Sequence, residues 1–503
     1  MHSGGIKMKK VFSLAFLVIA VSLVLSFGLC DKAFAAEKYG DYLYYSVKDD
    51  EVTITDCETS AVNIEIPSEI DGFPVTSIGA AAFYRCGNLT SVTIPNGVAS
   101  IGHSAFSDCY RLTSITLPDS VASIGSTAFN YCYSLTSITI PDRVINIGSY
   151  TFYMCESLTS ITIPDNVTSI GESAFQHCRS IESVYITDIA AWCNIDFADF
   201  NANPLLHANS LYLNNELVTE LIIPDSVTSI RNYAFYGCNN LTKITIPGSV
   251  TSISDKAFSY CDNLTSVTIS DGVTSIGESA FDYCHSLTDI ALADSITSIG
   301  DRAFWYCTSL TSITIPDGVT NIGNGVFSSC EKLKTITIPS SVTSIGESAF
   351  DFCYRLTDIA LPNSVANIGA YAFSCCSSLT TVEYGGNKEE WNAITISTDN
   401  DPLLNATINY NSIVAQWPEV TKTDSENKYT FSVVPKMIKP NSFIYAAAYD
   451  ANKKLLKLSK TEMLTSGATT ISVDKTSGIK YVVIYAWINN SSPISQSKKI
   501  NIS

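Results

Sequence analysis

The chain has 503 residues, more than one compact core accommodates, and carries 30 Lys and Arg against 48 Asp and Glu, a net charge of −18. The charge is uneven: residues 37–411 hold 14 basic and 41 acidic side chains (net −27), residues 412–503 hold 12 Lys and 6 acids (net +6), and residues 1–36 hold 4 Lys and 1 acid (net +3). An acidic body argues against nucleic acid, whose phosphates need Lys and Arg, and leaves basic or neutral partners open.

At the start, Lys7, Lys9 and Lys10 precede an apolar run from Val11 to Leu29, and Ala33-Phe34-Ala35 offers small residues for cleavage. Residues 1–35 read as a secretory signal peptide removed after Ala35. Cys30 raises lipoprotein attachment, although lipoprotein signals want a residue smaller than Leu29 before the cysteine. No other segment is apolar and long enough to span a membrane. Residues 36–63 form the next unit. Within it, residues 41–55 alternate around Asp49-Asp50 as a β-hairpin does, and the unit is expected to cap the N-terminal end of the main body of the chain.

From residue 64 to 411 the chain repeats. Phe83, Phe106, Phe129, Phe152 and Phe175 are 23 residues apart, as are Phe235, Phe258, Phe281, Phe304, Phe327, Phe350 and Phe373. Each of the twelve is followed three residues later by a cysteine, from Cys86 to Cys376. A fixed period of this length predicts a solenoid in which each repeat covers its neighbour's apolar face. In residues 158–180, Ile161 and Ile163 alternate with Ser160 and Thr162 as in a half-buried strand. Pro164 ends that strand, Val167 and Ile170 lie on a second extended piece, and Gly171 permits a corner. Ala174, Phe175 and Cys178 have the spacing of one face of a short helical turn. The twelve cysteines share one repeat position, which suggests a ladder of buried thiols serving as small hydrophobes. Disulfides remain the rival reading, since the chain carries an export signal.

These residues resemble the BspA-type leucine-rich repeats of bacterial surface proteins: Leu-x-x-Ile-x-Ile-Pro, then Val-x-x-Ile-Gly, then Ala-Phe-x-x-Cys. Ser270 and Ala293 replace the Pro, and Arg231 and Ser254 replace the Gly. The resemblance implies an arc with a parallel sheet on its concave side. It also implies secretion or surface display, and adhesion or protein recognition rather than catalysis.

Between Phe175 and Phe235 one repeat is enlarged, over about 181–217, and carries Trp192 and Asn203 to Leu206 (NPLL). This insert is expected to bulge from one side. A related unit at about 384–411, with Trp391 and Asp401 to Leu404 (DPLL), is expected to close the stack. Residues 412–503 change character to short β-rich runs separated by polar turns, which predicts a β-sandwich of immunoglobulin-like or fibronectin-III-like type.

The strand faces carry uniform Ser and Thr, which hold little recognition information. Variation concentrates after each Phe. Tyr131, Tyr260, Tyr283 and Tyr306 stand two residues beyond it, Tyr110, Tyr133 and Tyr354 four, with Trp305 beside them. Stacking would align these eight as an aromatic ridge. Large amphipathic rings of this kind dominate binding hot spots. The plainer alternative is that they shield the core. No catalytic set, cofactor fingerprint or metal-ligand spacing occurs. The expected protein is therefore a secreted or surface-associated bacterial adhesion or binding protein, monomeric, with a protein or glycan ligand on a host or bacterial surface. The alternative is a non-catalytic targeting scaffold or carbohydrate-binding protein of the envelope.

Overall fold

The structure, a computed structural model, describes residues 36–412 and, beyond them, residues 419–424, 428–434, 442–449, 455–462, 469–474, 479, 481–488 and 492–501. The expected signal peptide lies outside the described residues. From Asn63–Glu65 to Thr407–Asn409 the chain winds as a solenoid whose coils make hydrogen bonds on three sides.

Two of these sides are ladders of short parallel strands. Ser266–Ile269 pairs with Asp289–Ala291 in register Ser266↔Asp289 and Val267↔Ile290. The second extended piece pairs likewise, Ser252↔Ser275 and Ile253↔Ile276. In both ladders the isoleucines and valines point inward, Ile222 apart, because alternation places one apolar face inside. The Gly column has a different role from the corner expected of it. A Cβ added at Gly125 would lie 2.5 Å from the backbone nitrogen of His103. The requirement there is close approach between coils.

The third side carries the Phe and differs from the helical turn read from the sequence. Tight turns close within the coil, as in Cys307 N–H to Phe304 O at 3.2 Å and Trp305 N–H to Arg302 O at 3.0 Å. Left-handed residues two before and two after the Phe interrupt them, such as Ser279 and Tyr283, both at φ 54. The intervening N–H groups then turn to the next coil: Ser279 to Asp301 O (2.9 Å), Phe281 to Ala303 O (2.9 Å) and Tyr283 to Trp305 O (2.8 Å). A helix would spend those donors on itself. A stack needs them for its neighbour.

Inside, all twelve repeat Phe side chains are fully buried. Their rings stack in two columns, with centroids from 4.8 Å (Phe83–Phe106) to 5.7 Å (Phe281–Phe304) apart. The cysteines form the expected ladder of buried thiols and are unbridged among the described residues. Each thiol from Cys109 to Cys178 and from Cys261 to Cys376 donates to the carbonyl of the Phe one coil back, as Cys109 to Phe83 O (3.1 Å) and Cys307 to Phe281 O (3.2 Å). Cysteine therefore combines an apolar volume with a weak donor for a carbonyl that water cannot reach. Burial pushes these thiols up, Cys178 and Cys376 to about 12, so they are poor nucleophiles.

The enlarged repeat does not bulge. It forms a coil within the stack: Ser183–Ile186 pairs with Ser160–Thr162 on one side and Leu211–Leu213 on the other, and Asp196–Phe197 pairs with Ser169–Ile170. Trp192, Cys193, Phe197 and Leu205 are all buried. Its side chains replace backbone rungs. The Trp192 indole donates to Ala234 O (2.7 Å), and Asn203 Nδ2 donates to Tyr233 O (2.7 Å). The same device recurs at the far end, where buried Asn400 accepts from Phe373 N–H (2.9 Å) and donates to Gly369 O (2.9 Å). A related insert therefore serves at a seam and at an end, because both places leave carbonyls and N–H groups without a neighbouring Phe turn.

At the N-terminal end, Leu43–Lys48 and Glu51–Cys57 form a hairpin, with Asp49 and Asp50 at φ 52 and 61 in its turn. Glu51–Cys57 then pairs in parallel with Phe73–Ile78 and so joins the second ladder. Beyond residue 412 the described strands form two antiparallel sheets. One is ordered Glu419–Asp424, Lys428–Val434, Thr469–Asp474. The other is ordered Leu455–Glu462, Ser442–Tyr449, Tyr481–Ile488, Ser492–Asn501.

Replacing Phe281, in mid-column, by Ala is expected to cost ~3–5 kcal/mol through the cavity left; equilibrium denaturation with no loss of stability would contradict the stacked core. Asn203→Leu fills similar volume but removes the side-chain donor to Tyr233 O and leaves the buried Leu205 N–H without its Asn203 Oδ1 acceptor, at an expected cost of ~1–3 kcal/mol. Limited proteolysis should then cut first near residues 195–235, whereas an unchanged cleavage map would argue against a seam held by these side chains.

Candidate functional site

The sequence-predicted ridge residues fall on the Phe-turn side and gather into separate groups. In the second block, rings touch in an unbroken series. Phe200 of the enlarged repeat meets Tyr236 (centroids 5.8 Å apart), Tyr236 meets Tyr260 (5.4 Å), Tyr260 stacks on Tyr283 (4.4 Å, planes at 10°), and Tyr283 stacks on Tyr306 (4.9 Å, 4°). Trp305 packs edgewise on both Tyr283 (5.1 Å) and Tyr306 (5.0 Å). In the first block Tyr110 stacks on Tyr133 (5.6 Å), Tyr133 meets Tyr131 (5.8 Å), and Tyr131 continues to Tyr153 (5.6 Å) and thence to His177 (5.4 Å). Tyr354 stands apart from these and touches Phe352 (5.9 Å). In the coil between it and Tyr306, Ser329 and Glu331 occupy the two ridge positions.

These rings are neither core nor free surface. Tyr260, Tyr110 and Tyr354 are about two-fifths exposed, at 39%, 43% and 40%. Tyr131, Tyr133, Tyr283, Trp305 and Tyr306 are half-buried. Cations lie along the flank: Lys256 sits over the Tyr233 ring (5.9 Å) and Arg302 over the Trp305 ring (5.4 Å), so two aromatic faces already carry a cation–π partner. Sequence reasoning missed Tyr150, Tyr153, Tyr233, Tyr236 and Phe200. The first four stand two before or one after the Phe, or its equivalent in their coil, and only the left-handed residues bring those positions to the same edge.

Asp282, between Phe281 and Tyr283, is also part of the site. It is 5% exposed, and its Oδ1 accepts no hydrogen bond among the described residues. Burial raises its carboxyl to about 6, only partly offset by the Ser259 and Ser279 hydroxyls and by Lys256 and Arg302. Burial, reinforced by Tyr283, likewise raises Tyr260 to about 12. Asp262 is raised for the same reason, with His285 opposing. No group of three or more His, Cys, Asp or Glu is placed to hold a metal ion among the described residues.

Parallel ladders of short strands, joined by turns that stack Phe on Phe, define a leucine-rich repeat solenoid. The chain belongs to the BspA-type leucine-rich repeat family: the profile described as "BspA type Leucine rich repeat region (6 copies)" matches residues 76–201, 208–330 and 297–397, well over half of its length. Three solved structures illustrate the likeness. A leucine rich cell surface protein from Faecalibacterium prausnitzii is 29% identical with a TM-score of 0.43, covering 73% of this chain and 99% of that one. A leucine-rich repeat protein from Bacteroides ovatus is 29% identical with a TM-score of 0.44, covering 69% and 99%. One from Eubacterium ventriosum is 25% identical with a TM-score of 0.45, covering 68% and 94%. No curated protein matches the sequence. No helix among the described residues is long and apolar enough to cross a membrane.

The Asp282 carboxyl is raised in the fold from an ordinary 3.8. The folded chain therefore holds more protons than the unfolded chain between about pH 4 and 6, and stability falls as pH rises through that window. The expected loss is up to about 3 kcal/mol. Asp282→Asn should flatten this part of the stability profile, and thermal melts from pH 3.5 to 7.5 that superimpose in shape for parent and variant would refute the assignment.

Proposed function

We propose that the chain is an exported repeat protein of the bacterial surface that binds a protein or glycan ligand through its aromatic ridge. Tyr260, Tyr283, Tyr306 and Trp305 form its centre, and Tyr110, Tyr131, Tyr133 and Tyr354 extend it. The signal-like residues 1–35 support export. The observation that carries the ridge is the unbroken stacking of Tyr260 on Tyr283 and of Tyr283 on Tyr306, at a position the fold does not reserve for aromatics. Tyr260, Tyr283 and Tyr306 hold φ of 59, 54 and 58, a region a bulky side chain enters at a cost. Gly237 fills the same position at φ 74, and Asp108 or Ser329 fills it elsewhere. The coil thus folds with a small residue there. Bulky Arg85, Met154, His177 and Phe352 hold it left-handed too, so the backbone demands no aromatic there, and three consecutive stacked tyrosines are surplus to folding. The ridge offers contact area rather than a convergent catalytic set, so the reading is of a binder and not an enzyme.

The chain divides, on this proposal, into the cap at 36–63, the solenoid at 64–411 with its enlarged repeat and closing unit, and an accessory β-sandwich at 412–503. The sandwich is supported by the two antiparallel sheets and by burial of Ala448 and Val482 in one and Ile471 and Val473 in the other. In a second reading, that module supplies the binding and the solenoid is a scaffold.

The test uses the secreted protein on a glycan array and on bacterial and epithelial cell surfaces. The triple change Tyr260→Ser, Tyr283→Ser, Tyr306→Ser should weaken binding at least about tenfold, or about 1.4 kcal/mol, while the melting temperature shifts by only a few degrees. Equal loss of folding and binding would remove the site. Binding that survives deletion of 412–503 supports the ridge; binding abolished by that deletion alone supports the scaffold.

A further inference from the structure

Cys57 lies outside the repeat pattern, at the end of strand Glu51–Cys57, and packs against the first rung of the thiol ladder. Later rungs donate to a Phe carbonyl one coil back. Cys86 has no such coil behind it, and its Sγ donates to Cys57 O instead (3.6 Å). Both cysteines are buried, at 4% and 0% exposed. We propose that Cys57 and Cys86 are a disulfide-forming pair that fastens the N-terminal strands to the first coil.

Geometry separates this pair from the rest of the ladder. Ladder cysteines occupy one position in successive coils, so their Cα–Cβ bonds run parallel, which opposes the near-perpendicular Cβ–S–S–Cβ arrangement a disulfide needs. Cys57 reaches Cys86 from a hairpin strand and is free of that restriction. Contact between the two thiols is the main influence on both: it holds Cys57 above the usual thiol range and draws Cys86 below it, whereas burial holds the other ladder thiols above it. Exchange can begin at either thiol of the pair; in one order, Cys86 attacks first as its thiolate. It displaces one thiolate from a small-molecule or protein disulfide, forming a mixed disulfide. Cys57 then gives up its proton and attacks the Cys86 sulfur, releasing the second thiolate. Two protein thiols are oxidised, and one external disulfide is reduced to two thiols. Access comes from fraying of the terminal strands, which interior coils do not share. Closure in the cell rests on the export proposed above; the pairing itself does not.

The experiment takes protein secreted by a bacterial host, blocks free thiols with N-ethylmaleimide under denaturing conditions, and maps peptides by mass spectrometry. A second sample is reduced first and re-oxidised with a glutathione couple. The expected result is a Cys57–Cys86 link in both samples with the other described cysteines alkylated. A link formed only with glutathione upholds the pair and removes the oxidising setting. Alkylation of both residues in both samples, or links scattered along the ladder, overturns the proposal. As an independent readout, oxidation should raise the first melting transition of the parent by several degrees and leave Cys57→Ala unmoved; equal shifts in both would also overturn it.

Discussion

A single coil cannot satisfy its own backbone. On all three sides its N–H and C=O groups find partners in the coil before or after, as when Phe281 N–H reaches Ala303 O and Ser266 lies in register with Asp289. The apolar interior obeys the same constraint, since each Phe ring in the interior of a column lies between rings of other coils. Stability therefore belongs to interfaces between repeats rather than to repeats. The seam and the end depend on this too. Where no Phe turn is available, Trp192, Asn203 and Asn400 present side-chain donors and acceptors at the places a backbone would have filled.

Much of this was legible in the sequence because the period is rigid. Phe at every twenty-third residue, the Ile-x-Ile strands and the Phe-x-x-Cys spacing led to the stack, its core columns and its buried thiols. What escaped reading depended on the neighbouring coil. Ala174, Phe175 and Cys178 have the spacing of a helix, but the destination of their N–H groups is set by the next coil, which makes the segment a string of turns. The carbonyl that each Cys thiol meets belongs to the Phe of the coil before, so no local pattern announces it. The enlarged repeat looked like an excursion because its length breaks the period. Its buried Trp192 and Leu205 show that the extra residues go into small helices and turns along the same circuit.

The candidate site was legible in part for the same reason. Columns at fixed distance from Phe gave Tyr260, Tyr283 and Tyr306 with Trp305, and these rings do meet. Tyr354 was placed with them by offset alone, and the one intervening coil carries Ser329 and Glu331 at the ridge positions. Asp282 drew no notice, since an acidic residue in an acidic repeat carries no signal until burial is known. The ridge and the buried carboxyl share one turn of chain, so the surface that offers contact area is also where the fold tolerates its least comfortable groups.

Because successive coils present nearly the same face fore and aft, a duplication or loss of whole coils regenerates every interface it disrupts. Unequal recombination within the gene can therefore lengthen or shorten the molecule in units of one repeat with little folding penalty. Where the coil gained or lost is one like those of Tyr260, Tyr283 and Tyr306, the row of stacked rings grows or shrinks by one, so the length of that row is a heritable quantity that can change without the invention of a single new contact.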